Sequence, residues 1–371
     1  MTEGLYKLPE GWRWVRLGEV CNLYQPKTIT VQEMKRNPGP YPVFGANGII
    51  GNYYQFNHEE SEVLVTCRGA TCGTVNMSSP RSWITGNAMV VTPVIEGLRK
   101  DYLYWVIKST DLREAIGGSA QPQITRLTLS PMIIPLPPLD EQRRIVARIE
   151  ELMAQVREAR RLRQQAKEDA ERLWQSTLAE TFPRPGAEPP PGWRWVRLGE
   201  VCEVWDTLRK PVKKKVRIPG NVPYCGANGV IDYVDGHTHA GEFVLLAEDG
   251  GFYGPGEPTA YIMSGRFWAN NHVHILRGRP DHLVNQLLYY CLVAYDLRPF
   301  LTGATRPKLT QGAMRSIPIP LPPLDEQRRI LAHLEAVQEK IKALKEIQAT
   351  TDAEFQLLEQ AILDRAFRGE L

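Results

Sequence analysis

Ile134-Pro-Leu-Pro-Pro-Leu-Asp-Glu-Gln-Arg-Arg-Ile145 is a stiff lead-in followed by the start of a helix, and the same residues recur unchanged at Ile319–Ile330. Prolines 135, 137 and 138 hold the backbone extended and cannot stand inside a helix. Asp140 then has the chemistry of an N-cap, and Glu141 sets a negative charge where the helix dipole favours one; Asp325 and Glu326 repeat the pair. Each start opens a long run without Pro or Gly, ending near Phe182 and Phe367. A chain that builds the same long helix twice is made of two halves.

Outward from these starts, the repeat continues. Pro9-Glu-Gly-Trp-Arg-Trp-Val-Arg-Leu-Gly-Glu-Val-Cys21 matches Pro190–Cys202 at 12 of 13 positions, and Gly45-Ala-Asn-Gly48 matches Gly226-Ala-Asn-Gly229 at the same offset of 181. The first signals a short half-buried strand or turn around Trp12, Trp14, Val15 and Leu17. The second is an Asn-Gly turn between apolar runs, a hairpin signal. Val63–Thr66, Thr74–Met77 and Phe243–Ala247 read as strands, and Tyr102–Ile107 and Leu287–Val293 as short helices. By the second Pro-Leu-Pro motif the offset is 185, so the second half gains four residues in its middle. Pro183–Gly192, with five prolines and two glycines, is a linker. The expected organisation is a first domain (1–139), a first long helix (140–182), the linker (183–192), a second domain (193–324) and a second long helix with a tail (325–371).

Both helices carry the 4-3 spacing of a packed seam. In the first it runs through Ile145, Ile149, Leu152, Val156 and Leu173. In the second it runs through Ile330, Leu334, Val337, Ile341, Leu344, Thr351, Phe355, Leu358 and Ile362. Alone, each seam would leave an apolar stripe in water, so the helices are expected to pack on one another. Val146, Met153, Leu162, Trp174 and Leu178 widen the first stripe beyond one partner's reach, which calls for a further partner helix.

The chain has 371 residues, 43% hydrophobic and 23% charged, enough for two domains with cores. No long apolar run or leader pattern stands out, so a cytoplasmic location without membrane contact is expected. The six cysteines form no C-x-x-C pair; Cys21 and Cys202 share a repeat position, as buried apolar residues would. Net charge is +3, but residues 140–180 and 325–365 together hold 15 basic and 18 acidic side chains, so an excess of six positive charges lies elsewhere. That bias fits nucleic-acid contact by the globular parts.

Phosphate loops, dinucleotide fingerprints, nucleophile elbows and zinc-protease motifs are all absent. His237-Thr-His239 and His272-Val-His274 have a metal-compatible spacing, but neither has a counterpart in the first half; they read as polar loop or surface histidines, and no metal site is expected. The densest basic run is Arg209-Lys-Pro-Val-Lys-Lys-Lys-Val-Arg217. It lies where the halves diverge, which makes Arg209, Lys210, Lys213, Lys214, Lys215 and Arg217 candidate phosphate contacts. Lys27, Lys35 and Arg36 occupy the matching region of the first half, and Arg68 sits in a Gly-flanked turn able to approach a duplex.

Two Gly-Trp…Val-x-Leu-Gly-Glu openings, two Pro-Leu-Pro-Pro-Leu-Asp-Glu-Gln motifs, each heading a long helix, and the closing Phe367-Arg-Gly-Glu-Leu371 strongly resemble the specificity subunit of type I restriction–modification enzymes. The resemblance covers essentially the whole chain. It implies an α+β fold: two similar α/β target-recognition domains, each followed by a long helix, the helices forming an antiparallel coiled coil with pseudo-two-fold symmetry. It also implies a non-catalytic subunit that reads a split, asymmetric site in double-stranded DNA. Along its helices it would dock two methyltransferase subunits and, through them, restriction/motor subunits. No cofactor is then expected on this chain; S-adenosylmethionine, ATP and Mg belong to the partners. The competing expectation is a coiled-coil scaffold without DNA specificity, which has no need of two basic, mutually divergent domains.

Overall fold

A computed structural model describes residues 6–118, 122–303, 305 and 307–371, with the backbone alone at 349–352, so Thr351 lies outside the described side chains. The chain divides into two compact units. One comprises residues up to Leu162 together with Thr350–Leu371; the other is Arg163–Ala349.

In the first unit the two repeated motifs meet. Arg13–Arg16 pairs antiparallel with Ile133–Leu136, setting Val15 opposite Ile134 and Trp14 opposite Pro135. A ribbon of only two strands tolerates Pro135, which has no N–H to give a ladder. Beside it stands an antiparallel sheet ordered Cys21–Tyr24, Ala88–Pro93, Val63–Thr66, Val75–Met77. Helix Lys100–Ser109 covers that sheet with Tyr102, Leu103, Val106 and Ile107 buried. A smaller sheet joins the hairpin Tyr41–Gly45/Gly48–Tyr53 to Trp83–Ile84, the last pairing being parallel.

The second unit repeats this frame. Arg194–Arg197 pairs with Pro318–Leu321, a sheet runs Cys202–Val204, Val273–Gly278, Phe243–Ala247, Ala260–Met263, and helix Asn285–Ala294 covers it. The second hairpin, Pro219–Gly226/Gly229–Val234, sits beside Arg266–Ala269. The domains are therefore α+β, with strands antiparallel but for one short parallel pairing in each. The four extra residues fall in one loop: 67–74 in the first unit corresponds to the longer 248–259 in the second.

The long helices span Leu139–Thr181 and Leu324–Phe367. Asp140 is not the cap expected from sequence. The Pro138 carbonyl already accepts the Gln142 N–H at 3.0 Å, so Asp140 lies inside the first turn, exposed and paired with Arg143. The buried polar residue of the motif is glutamine. Gln142 accepts from the Arg99 N–H and donates to the Gly97 and Pro137 carbonyls; Gln327 accepts from Val284 and donates to His282 and Pro322. Each helix start is thereby fastened to the loop that leads into its domain's short helix.

In the first unit, Ile145, Ile149 and Val156 share a core with Ile362, Leu363 and Phe367, and Arg160 pairs with Glu359 at 2.8 Å. In the second, Gln348 donates to the Arg163 carbonyl and Lys345 lies 3.8 Å from Glu171. Within each unit, the helices therefore run antiparallel. Two seam positions depart from expectation: Leu173 and Leu358 are 55% and 48% exposed. A helix of 3.6 residues per turn drifts about 20° per heptad from a 3.5 repeat, and packing has passed to neighbouring positions. Leu178 and Leu363 are buried, and Trp174 stacks edge-on to Tyr290.

Candidate nucleic-acid interface

The cations singled out from sequence separate into two groups. In the second unit, Arg209 points inward. Its guanidinium pairs with Glu248 and donates to the Val273 carbonyl at 2.7 Å, with Asp206 alongside. His274, fully buried, faces Asp206 Oδ2 with Nδ1 at 2.6 Å and the Leu309 carbonyl with Nε2 at 2.7 Å; Lys308 reaches Glu248 at 2.6 Å. Burial opposes ionisation of Asp206 and Glu248. Hydrogen bonds from His274 to the first, and from Lys308 and Arg209 to the second, outweigh it, so both carboxyls titrate below their ordinary range.

Arg217 is likewise engaged. It bonds Asp232 at 2.7 Å and the Val212 carbonyl at 3.0 Å while lying 4.1 Å over the Tyr224 ring. Neither Arg209 nor Arg217 presents a free charge to a phosphate: a loop this basic keeps its shape by spending two guanidiniums on internal carboxylates. Lys210, Lys213, Lys214 and Lys215 remain exposed, and among the described residues none forms an ion pair.

In the first unit Thr30 caps the short helix Val31–Arg36 through the Glu33 N–H, while Met34 sinks into a small core with Ile29, Val43 and Tyr53. Lys27, Lys35 and Arg36 are exposed, as is Arg68, just after strand Val63–Thr66. Gly69 beside Arg68 has φ +89°, with open space where a Cβ would stand. Next to it the Cys67 thiol is pushed up to about 11 by burial.

One device repeats in both units and was missed from sequence. Trp83 Nε1 donates to the Lys27 carbonyl at 3.3 Å, and Trp268 Nε1 donates to the Lys210 carbonyl at 2.7 Å. The same indole clip holds the first lysine of two otherwise different basic segments. Its signal was there to read: Trp83 and Trp268 stand 185 apart within divergent sequence.

Of the four histidines read from sequence as loop or surface residues, His237 is exposed in a loop and His272 sits part-exposed in a turn, whereas the other two are not at the surface. His239 and His274 are both buried, and His239 Nε2 lies 3.0 Å from the Trp205 carbonyl. Among the described residues no cluster of three or more potential ligands could hold a metal ion, and no helix is long and apolar enough to cross a membrane.

A family model described as the type I restriction modification DNA specificity domain matches twice, over residues 9–168 and 190–351. The chain belongs to this family. It is similar to the putative type I restriction enzyme specificity subunit S.HindORF215P of Haemophilus influenzae, 46% identical over 143 residues that cover 38% of this chain and 37% of that protein. It is also similar to the EcoDI specificity subunit of Escherichia coli, 22% identical across 98% of this chain and 90% of the relative. Among solved structures, the HsdS subunit from Thermoanaerobacter tengcongensis aligns with a TM-score of 0.65 at 32% identity, covering all of both chains. A chain from a structure concerned with complex assembly and conformational transition of the type I R-M system aligns with a TM-score of 0.76 at 31% identity, covering 99% of this chain and 100% of that one. This specificity subunit is thus the DNA-sequence-recognising, non-catalytic member of its system.

Proposed function

We propose that this subunit reads a split DNA target with unlike halves, one half per domain, and docks methyltransferase subunits along its long helices. One observation carries the proposal: exposed cations lie on a common frame, in the segments between repeated anchors where the two halves differ. A shared frame accounts for two readers, and divergent segments account for two sequences. The methyltransferase partners, two in number, would bring S-adenosylmethionine; separate motor subunits, joined through them, would bring ATP and Mg. The complex would work in the cytoplasm, where the DNA is. Leu162, Leu173, Ile347, Leu357 and Leu358 leave exposed apolar surface on the helices for a partner helix to cover.

The test is neutralisation of Lys213, Lys214 and Lys215 to Gln in the assembled complex. Phosphate contacts carry no base information, so affinity is expected to fall alike for all duplexes. The salt dependence should flatten by about one in slope for each phosphate no longer neutralised. A changed recognition sequence with an unchanged salt slope would make this loop a base reader instead.

A further inference from the structure

The Asn-Gly hairpin is an exposed apolar feature that recurs in both domains. Ile49 and Ile50 are 62% and 51% exposed in the first, Val230 and Ile231 41% and 53% in the second. Both pairs straddle a β-bulge in which Ile50 and Ile231 are the extra residues; these two side chains lie over Gly45 and Gly226 of the facing strand, and all four residues still present apolar surface near the tip. The turn itself is slim. Gly48 and Gly229 have φ +104° and +109°, with nothing within 4 Å of where a Cβ would stand. Behind the tip, the ribbon is held firmly. In the first domain Tyr53 donates to Glu33 and Gly51 rests against Met34, both on the helix that ends in Lys35 and Arg36. In the second, the Tyr224 hydroxyl accepts from the Val212 N–H and Asp232 takes Arg217, so the lysine run is strapped over the ribbon. Each domain thus sets a narrow aliphatic tip beside a bank of exposed cations that, among the described residues, form no ion pair.

Cations beside the tip favour a polyanion as occupant, and the tip's width and chemistry select among its surfaces. The major groove of duplex DNA admits a two-stranded ribbon and offers thymine methyls as apolar contacts. We propose that both hairpin tips enter the major groove, Ile49–Ile50 and Val230–Ile231 lying against base edges while the flanking cations neutralise phosphates. This deepens, and rests on, the DNA-reading function proposed above. Because the aliphatic pair is nearly the same in both domains, it strengthens both half-sites alike; discrimination between them falls to the loops 67–74 and 248–259, which differ in length and sequence.

The experiment uses the complex assembled with its methyltransferase subunits and compares Ile49→Ser/Ile50→Ser and Val230→Ser/Ile231→Ser with the parent. Melting temperature serves as the folding control, since all four side chains are exposed. Each pair of substitutions is expected to weaken target binding roughly 10-fold, the order of one good base contact. The slope of affinity against salt should not change, because no counterion is displaced, and the modified sequence should stay the same. Deoxyuridine in place of thymine throughout the target should cost the parent affinity and cost the variants little. Full affinity in both variants, a reduced salt slope, a parent indifferent to deoxyuridine, or failure to assemble before DNA is added would each overturn the proposal. The last would make the tip a protein-docking surface. The Lys213, Lys214 and Lys215 variant is run alongside. If it alone loses affinity, DNA reading stands and the tip assignment fails; if neither loses affinity, the DNA-reading function itself has failed.

Discussion

Around one buried site the two domains differ most sharply in single residues. Asp206, Glu248 and His274 of the second domain stand where the repeat puts Gln25, Cys67 and Met89 in the first, so a charged cluster replaces a neutral one on the same frame. Folding holds the Asp206 and Glu248 carboxyls below their ordinary values, despite burial, through His274, Lys308 and Arg209. Carboxyls with depressed folded pKa add stability above their unfolded values near 4 and lose it as pH falls through the folded ones. The second domain is therefore expected to loosen first in acid. Amide-exchange protection in Val273–Gly278, compared between pH 7 and pH 3, should fall more than in its counterpart Ala88–Pro93; equal losses would remove the cluster from the account. Little of this site was legible beforehand. Arg209 looked like one cation in a basic run, and nothing in the spacing ties it to Glu248, 39 positions away. Gln142 and Gln327 were visible in the repeated motif, yet the helix-capping pattern drew attention to the acids before them. Polar groups that satisfy distant backbone leave no period in the sequence.

Elements were legible in proportion to their length and their dependence on local rules. Two long runs without Pro or Gly fixed the helices, and Asn-Gly between apolar stretches fixed both hairpins, because each signal acts within a few residues. Trp83–Ile84, two residues long, owes its place to the hairpin beside it and was not foreseen. The seam was read well where it meets the domain core and poorly at Leu173 and Leu358, because a 3.5 repeat and a 3.6 helix diverge along its length. The pairing direction is open to direct test. Ile145 and Ile362 are buried in the same core, so cysteines at these two positions should form a disulfide on mild oxidation, seen as a gel shift reversed by reductant. A parallel pairing would join 145 to 330 instead, and efficient closure of that pair would overturn the antiparallel arrangement.

For the whole molecule, internal repetition decides what kind of target can be read. A symmetric dimer carries identical readers and selects half-sites related by symmetry. This single chain carries two readers on one frame, with basic segments and loops that have diverged freely. Unlike half-sites are the expected consequence. Each domain is followed by a helix of 43 or 44 residues, about 65 Å if straight, and two distinct readers on one chain have no need to contact adjacent base pairs. The target should therefore contain an unread gap. The bases themselves were not legible, since base-edge readout is decided by which side chains reach the groove and these loops follow no motif. Modularity supplies the test. Residues 22–120 lie between the repeated opening and the Pro-rich lead-in, so replacing them with the same stretch of another specificity subunit keeps both anchors and both helices. Sequencing of modified bases in cells carrying the hybrid should show one half-site changed, with the other half and the gap length kept. A contiguous modified motif, or a hybrid in which both halves change, would mean that the domains do not read separately.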